Sequence, residues 1–423
     1  MQRWRFPRFV SPIAALMLLL ALVACMRGPM VAAPAGPPQP PVTGPGGPPP
    51  GGSPPPGAGG PVKVAVLLPL SGANAELGKA MLEAAQMALF TTGNDRLTLV
   101  PRDTTGTPDG AAGAARAALA DGAQLILGPL LAAEVDAVKP VAGEAKINVI
   151  AFSTATQLAG DNVFLMGFLP RQEVVREAAF ARESGLSRFA VLAPNSEYGR
   201  LMTDALRETA SQAGATVVKA ETFDSRSSDV GPAIQRLAGN TASAAPGTSP
   251  EPDAAPAPGP TQRVSFDALL LPEGGDQLKQ IARRLKTAGI GSPQVRLLGS
   301  GLWDDASVSS EPALVGGWFA ASPPDARREF QSRFQSTYGH APPRLASLAF
   351  DAAALAAVLA KAGGPAPFSH DAILNPSGFT GVDGLFRFTP QGLVQRGLAV
   401  LEVQPQGPVV VSPAPRDFRD LVY

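Results

Sequence analysis

From Val62 onward, short unbroken apolar runs alternate with longer stretches in which apolar and polar residues recur at helical spacing. Lys63-Val-Ala-Val-Leu-Leu-Pro69 is the first run, apolar almost throughout, as expected of a parallel strand covered on both faces. It turns through Ser71-Gly72 into an Ala-, Leu- and Met-rich stretch, Ala75 to Phe90, that predicts a helix. The alternation continues as strand 97–101, helix 108–120, strand 124–127, helix 131–144 and strand 147–152. After Pro170 it resumes with helix 171–184, strand 188–193, helix 197–213, strand 216–223 and helix 229–238. A last series predicts strand 266–271, helix 274–288, strands 295–299 and 315–320, and helices 325–338 and 344–361. Gly384–Thr389 and Leu398–Val403 predict a hairpin. Alternation of this kind gives parallel sheets wound by helices on both faces, an α/β architecture.

Three segments break the pattern. Residues 28–61 are almost wholly Pro, Gly and Ala, a composition with little to bury that favours extended chain and predicts a disordered tether. Residues 240–262 are similarly poor in apolar side chains and predict a disordered insertion within a lobe, because patterned sequence resumes after them. At the amino terminus, Arg3, Arg5 and Arg8 precede an apolar stretch from Phe9 to Ala24. That run is short of the roughly 20 residues a membrane-spanning helix needs and suits a signal peptide. It ends Leu22-Val23-Ala24-Cys25, which resembles the bacterial lipobox. The resemblance implies a lipoprotein signal peptide with its lipobox over residues 1–25, cleaved so that Cys25 becomes the new amino terminus and carries the lipid. An ordinary signal peptide with an incidental cysteine, or an uncleaved anchor, are the alternatives. Met26 in place of Asp points, by resemblance to enteric sorting signals, to the outer membrane.

Length and composition narrow the function classes. At 423 residues the chain exceeds what one core holds, and the part beyond the spacer suffices for two lobes. Basic and acidic residues balance at 35 each, so no basic field recruits nucleic acid. The single cysteine, Cys25, excludes an intrachain disulfide, and the two histidines, His340 and His370, stand apart. No Gly-x-Ser-x-Gly elbow or phosphate loop is present, so neither an enzyme nor a cofactor is expected.

Six phrases occur in order: VAVLLPLSG (64–72), LILGPL (125–130), VIAFSTAT (149–156), Ala193-Pro-Asn-Ser-Glu-Tyr-Gly-Arg200, PRLASLAFDAAALAA (343–357) and GVDGLFRF (381–388). Together they resemble the leucine/isoleucine/valine-binding type of periplasmic receptor over almost all of residues 62–403. GKAMLEAAQMALF, LLGSGLWDD and GGWFAA resemble most the lipoprotein activators of penicillin-binding proteins within that superfamily. The resemblance implies two α/β lobes joined by three crossings, a type I periplasmic-binding-protein fold with an interlobe cleft. Lobe 1 is expected at 62–168 plus 320–380, and lobe 2 at 169–319 plus 381–423.

Open α/β sheets bind ligands at the carboxyl ends of their strands, so the strand-to-helix turns are the candidate site. Ser71, Gly72 and Asn74 offer backbone N–H groups at a helix start, suited to an anion or equally to helix capping. Gly128-Pro129-Leu130-Leu131 reads as a rigid turn. Ser153, Thr154 and Thr156 cluster three hydroxyls after a strand, more than capping alone explains. The resemblance makes these the groups that hold a ligand's polar ends, and makes Tyr198 a ring covering the ligand. It also implies a lobe 2 carboxylate in the segment Leu298 to Asp304, which here holds Leu302 and Trp303 where the acid is expected. Asp304 is expected to cap the following helix, the alternative being that it shifts into the missing acid's role. The absent acid favours an outer-membrane lipoprotein that activates a peptidoglycan synthase, a penicillin-binding protein, by contact. The alternative is a lipid-anchored receptor delivering a small molecule to an ABC importer.

Overall fold

The structure, a computed structural model, describes residues 61–226, 229–239 and 264–419. Cys25, the spacer up to residue 60 and the 240–262 insertion lie outside the described residues.

The first sheet takes β1 (Val62–Leu68), β2 (Leu97–Asp103), β3 (Leu125–Leu127), β4 (Val149–Ala151) and β5 (Val163–Leu165), returned by helices α1 (Ala75–Thr92), α2 (Pro108–Ala120) and α3 (Ala132–Glu144). All its pairings are parallel, in the order β2-β1-β3-β4-β5. The unbroken apolar character of β1 follows from double cover. Val64, Val66 and Leu68 face one core layer, Ala65 and Leu67 the other. Each such Leu or Val contributes roughly 1.5–3 kcal/mol.

The second lobe follows with α4 (Pro170–Glu183), β6 (Arg188–Pro194), α5 (Glu197–Gln212), β7 (Thr216–Phe223), α6 (Gly231–Ala238), β8 (Ala268–Leu270), α7 (Gly275–Thr287), β9 (Arg296–Leu298) and β10 (Trp318–Ala321). The chain then gives α8 (Pro324–Tyr338), α9 (Ala346–Ala362), the single turn α10 (His370–Ile373), β11 (Phe379–Gly381), β12 (Gly384–Phe388), β13 (Val394–Arg396), β14 (Ala399–Glu402) and β15 (Val409–Ser412). The second sheet runs β15-β14-β10-β9-β8-β6-β7. It is parallel except at one edge, where β14 and β15 pair antiparallel.

This is the two-lobed, doubly wound type I periplasmic-binding-protein architecture, with three crossings: after β5, between β10 and α8, and between β13 and β14. Two lobe boundaries differ from the sequence reading. β10 is a strand of the second sheet, so the return to lobe 1 comes after residue 321 and not at 320. Phe386, Phe388 and Val394 join the first lobe's core, so lobe 1 extends past 380 through β13. The expected hairpin therefore re-pairs. β12 pairs with β13, while Ala399–Glu402 lies against β10, because its apolar faces complete the second lobe's cores.

The crossings brace one another. Arg396 on the third donates through Nη2 to the Met166 carbonyl on the first at 2.8 Å. Its own amide donates to Gln172 Oε1 of α4 at 3.0 Å, and Arg176 Nε donates to the Leu398 carbonyl at 3.0 Å.

Candidate functional site: the interlobe cleft

Two cavities share Phe168, Pro170, Tyr198 and Leu345 and form one cleft between the lobes. The outer has a volume of about 740 Å³ and the inner about 220 Å³.

On the first lobe, Ser153 follows β4, and its hydroxyl accepts the Ala155 amide at 3.1 Å. Ser153 is buried, whereas Thr154 and Thr156 are exposed. All three line the outer cavity, together with Asn74, Leu130 and Leu131. The first crossing presses on this turn: a Cβ at Gly167 would lie 2.6 Å from the Ser153 carbonyl oxygen. The Ser71-Gly72 turn is arranged differently from expectation. β2 runs on to Asp103, whose Oδ1 accepts the amides of Leu70 at 2.9 Å, Ser71 at 3.3 Å and Thr105 at 2.7 Å. The Ser71 amide expected to hold an external anion is thus occupied from within the chain. Ser71 and Gly72 do not line either cavity, while Asn74 does, its side chain making no capping bond.

On the second lobe, the Ser196 hydroxyl caps α5 by accepting the Gly199 amide at 3.1 Å, which sets Tyr198 in the first turn, facing both cavities. Burial raises the pKa of its phenol, opposed by a hydrogen bond to the Ser300 hydroxyl and aided by the charges of Glu173, Glu273 and Glu177.

In the segment where the acid was sought, Leu302 is exposed to the inner cavity and Trp303 is buried beneath it. Asp304 does not cap the next turn, a role taken by Asp305, which accepts the Ser307 amide at 2.7 Å. Asp304 instead pairs across the lobes with both guanidinium nitrogens of Arg327 on α8, one bond at 2.7 Å. Arg344 Nε lies 3.8 Å from the same carboxylate. Arg344 also stacks 3.9 Å from the centre of the Phe168 ring and binds Asp383 at 2.9 Å. A charge taken from water in this way is stable because each one is matched by a fixed partner.

The carboxylate missing from the loop comes from α4. Glu173 lines the inner cavity, and its Oε2 accepts the Gly301 amide at 2.8 Å. A Cβ at 301 would lie 2.4 Å from the other carboxylate oxygen, so a larger residue there would push the Glu173 carboxylate aside. One turn on, buried Glu177 accepts the Gly299 amide at 3.0 Å. Burial pushes the Glu173 carboxyl up to about 7, against the Gly301 bond and the Arg344 charge, and pushes Glu177 well above the carboxylate range. The signal in the sequence was the pair of glutamates at i and i+4 on the face that also carries buried Val174, Ala178 and Ala181.

The family model described as "Periplasmic binding protein" matches residues 61–408. The chain belongs to the periplasmic binding protein family. Among solved periplasmic binding protein structures, one similar chain is an ABC transporter substrate-binding protein from Sphaerobacter thermophilus, at 23% identity and TM-score 0.66, covering 86% of this chain and 100% of that one. Another is a branched chain amino acid ABC transporter periplasmic ligand-binding protein from Burkholderia xenovorans, at 19% identity and TM-score 0.66, covering 84% and 95%. A third is an ABC transporter solute binding protein from R. palustris in complex with benzoate, at 19% identity and TM-score 0.57, covering 85% and 98%. At these identities the likeness speaks for the fold. No curated protein sequence matches the chain.

Proposed function

We propose that this chain is the small-solute receptor of an ABC importer, tethered at the periplasmic side of a membrane by a lipid on Cys25. The observation that carries the proposal is a cleft lined from both lobes and closed to bulk solvent only in part. Asn74, Ser153, Thr154 and Thr156 stand on one wall and Tyr198 on the other. A mostly apolar pocket with a few convergent polar groups is the usual form of a small-molecule site. The solved relatives are ligand-binding components of such transporters, which adds to the support. Mass spectrometry of molecules released from the natively purified chain, followed by calorimetry with each, tests the proposal. Saturable binding weakened at least tenfold by Tyr198→Ala is the expected outcome, and a preparation that neither carries nor binds any solute removes it.

Contact activation of a peptidoglycan synthase, from the outer membrane, is a second reading. It draws on the Asp304–Arg327 pair, which ties the two lobes directly to each other beside the cleft. Co-purification of a penicillin-binding protein with the full chain, unaffected by Tyr198→Ala, would favour it. In either case Cys25→Ser is expected to abolish fatty-acid labelling; labelling that persists removes the lipid anchor.

A further inference from the structure

Asp304 stands on the loop after β9 in the second lobe, and the two guanidinium groups on its carboxylate both belong to the first. Arg327 grips it with two nitrogens, and Arg344 Nε lies 3.8 Å away. The side chains of Asp304 and Arg327 are 7% and 12% exposed, so salt screens the pair little. The first lobe gathers three guanidinium groups here, Arg327, Arg344 and Arg396, around two carboxylates, Asp351 and Asp383. Arg327 and Arg344 repel one another as like charges. Burial and the neighbouring Asp383 charge raise the Asp351 carboxyl, which thins the negative charge of that lobe further. The positive excess of one lobe is thus completed by a carboxylate from the other. We infer that Asp304 is a built-in latch: seated on Arg327 and Arg344, it holds the two lobes closed by itself, so that the closed cleft is the resting state of the chain.

The latch acts where the lobes pivot. Arg344 stacks on Phe168 of the first crossing and donates to the Ser322 hydroxyl of the second at 3.4 Å. Arg396, at the start of the third, donates to the Met166 carbonyl of the first. Opening the cleft draws Asp304 off this cluster and leaves Arg327 facing Arg344 with less counter-charge between them, and stranding one side of a buried pair is costly. A fork of two nitrogens on one carboxylate also fixes direction, so the link fails as soon as the lobes turn. A two-state hinge settles in whichever state gains the differential contact. Where a solute alone closes such a hinge, that contact comes from the solute. Here the chain carries its own, and neither the receptor reading nor the synthase reading requires it.

The test measures the separation of the two cleft walls in the full chain. Nitroxides are carried on keto-bearing residues introduced at Glu76 and Arg200, exposed neighbours of the cavity-lining Leu77 and Leu201 on opposite lobes, which leaves Cys25 unlabelled. Pulsed electron spin resonance reads the distance after dialysis from mild denaturant has stripped small molecules from the chain. The wild type is expected to show one narrow, short distance. Asp304→Asn keeps the shape of the side chain and removes its charge, and should lengthen the distance by more than about 2 Å, the scale of a domain rearrangement. Arg327→Gln should lengthen it in the same direction, and the double variant should open no further than the larger single. Glu329→Gln, exposed on the same helix, should leave it unchanged. A stripped wild type that is already open, or an unchanged distance in Asp304→Asn, overturns the latch. So does a double variant whose opening is the sum of the two singles, because the two residues would then act apart. If circular dichroism shows Asp304→Asn to be unfolded, Arg327→Gln decides in its place, by the same two outcomes.

Discussion

The first-lobe wall of the cleft offers hydroxyls and an amide on turns that follow strands, while the second-lobe wall offers a ring and a carboxylate carried by helices α5 and α4. On the first wall the polar groups are neutral, and several already have partners of their own: Ser153 with Ala155, and the Ser71 amide with Asp103. On the second, charges have been brought out of water. One of them, Asp304, is fully matched, and another, Glu173, is not. The contrast teaches that a matched buried charge holds the lobes together, whereas an unmatched one is held at a cost that a ligand can relieve.

The largest expected effect breaks the matched charge. Asp304→Ala leaves Arg327, whose side chain is only 12% exposed, without its carboxylate. Losses on the order of 3–5 kcal/mol follow from stranding one member of a buried pair, read as a lower urea midpoint. A loss below about 1 kcal/mol would mean that the pair is solvated and does not tie the lobes.

Next comes the unmatched charge. Burial raises Glu173 from its ordinary 4.5 to about 7, so between those values the folded chain keeps a proton that the unfolded chain releases. Stability therefore declines as pH rises from about 4.5 to about 7 and stays lower above it. Glu173→Gln removes that penalty and is expected to gain up to ~3 kcal/mol at pH 8 and nothing at pH 4, at about 1.4 kcal/mol per unit. The titratable and charged groups near it are Glu177, Tyr198, Arg344 and Asp304. The gain should be measured at several pH values; a variant no more stable at pH 8 than at pH 4 shows the carboxyl to be hydrated.

The smallest effects belong to the neutral wall. Ser153→Ala removes the acceptor of the Ala155 amide and should cost about 1 kcal/mol, while Thr154→Val, at an exposed position, should stay within about 0.5 kcal/mol. If both nonetheless weaken solute binding more than their stability changes, as calorimetry would reveal, the hydroxyls act on the ligand directly. Equal and negligible effects on binding would make the first wall a passive surface.

Much of the fold was legible because its cause is local. Strand β1 buries both faces, so its residues are apolar without alternation, and Ser153, Thr154 and Thr156 follow directly on a strand end where a cleft is expected. Tyr198 was singled out by the family resemblance, and the structure sets it in the first turn of a helix capped by Ser196. The placement of β12 to β14 was not, because two apolar segments close in sequence read as a hairpin whichever core they enter.

The sequence by itself determined the alternation of strand and helix and the turns that follow the strands, since these depend on periodicity and turn chemistry within a few residues, while the two-lobed fold was legible only through the family resemblance. Only the tertiary structure decided which carboxylates meet which partners. Glu173 and Gly301 are far apart in the chain and meet through the packing of α4 on the loop after β9. Asp304 and Arg327 stand on different lobes. Electrostatic energy depends on distance and burial in space, and neither is written in the spacing of residues along the chain.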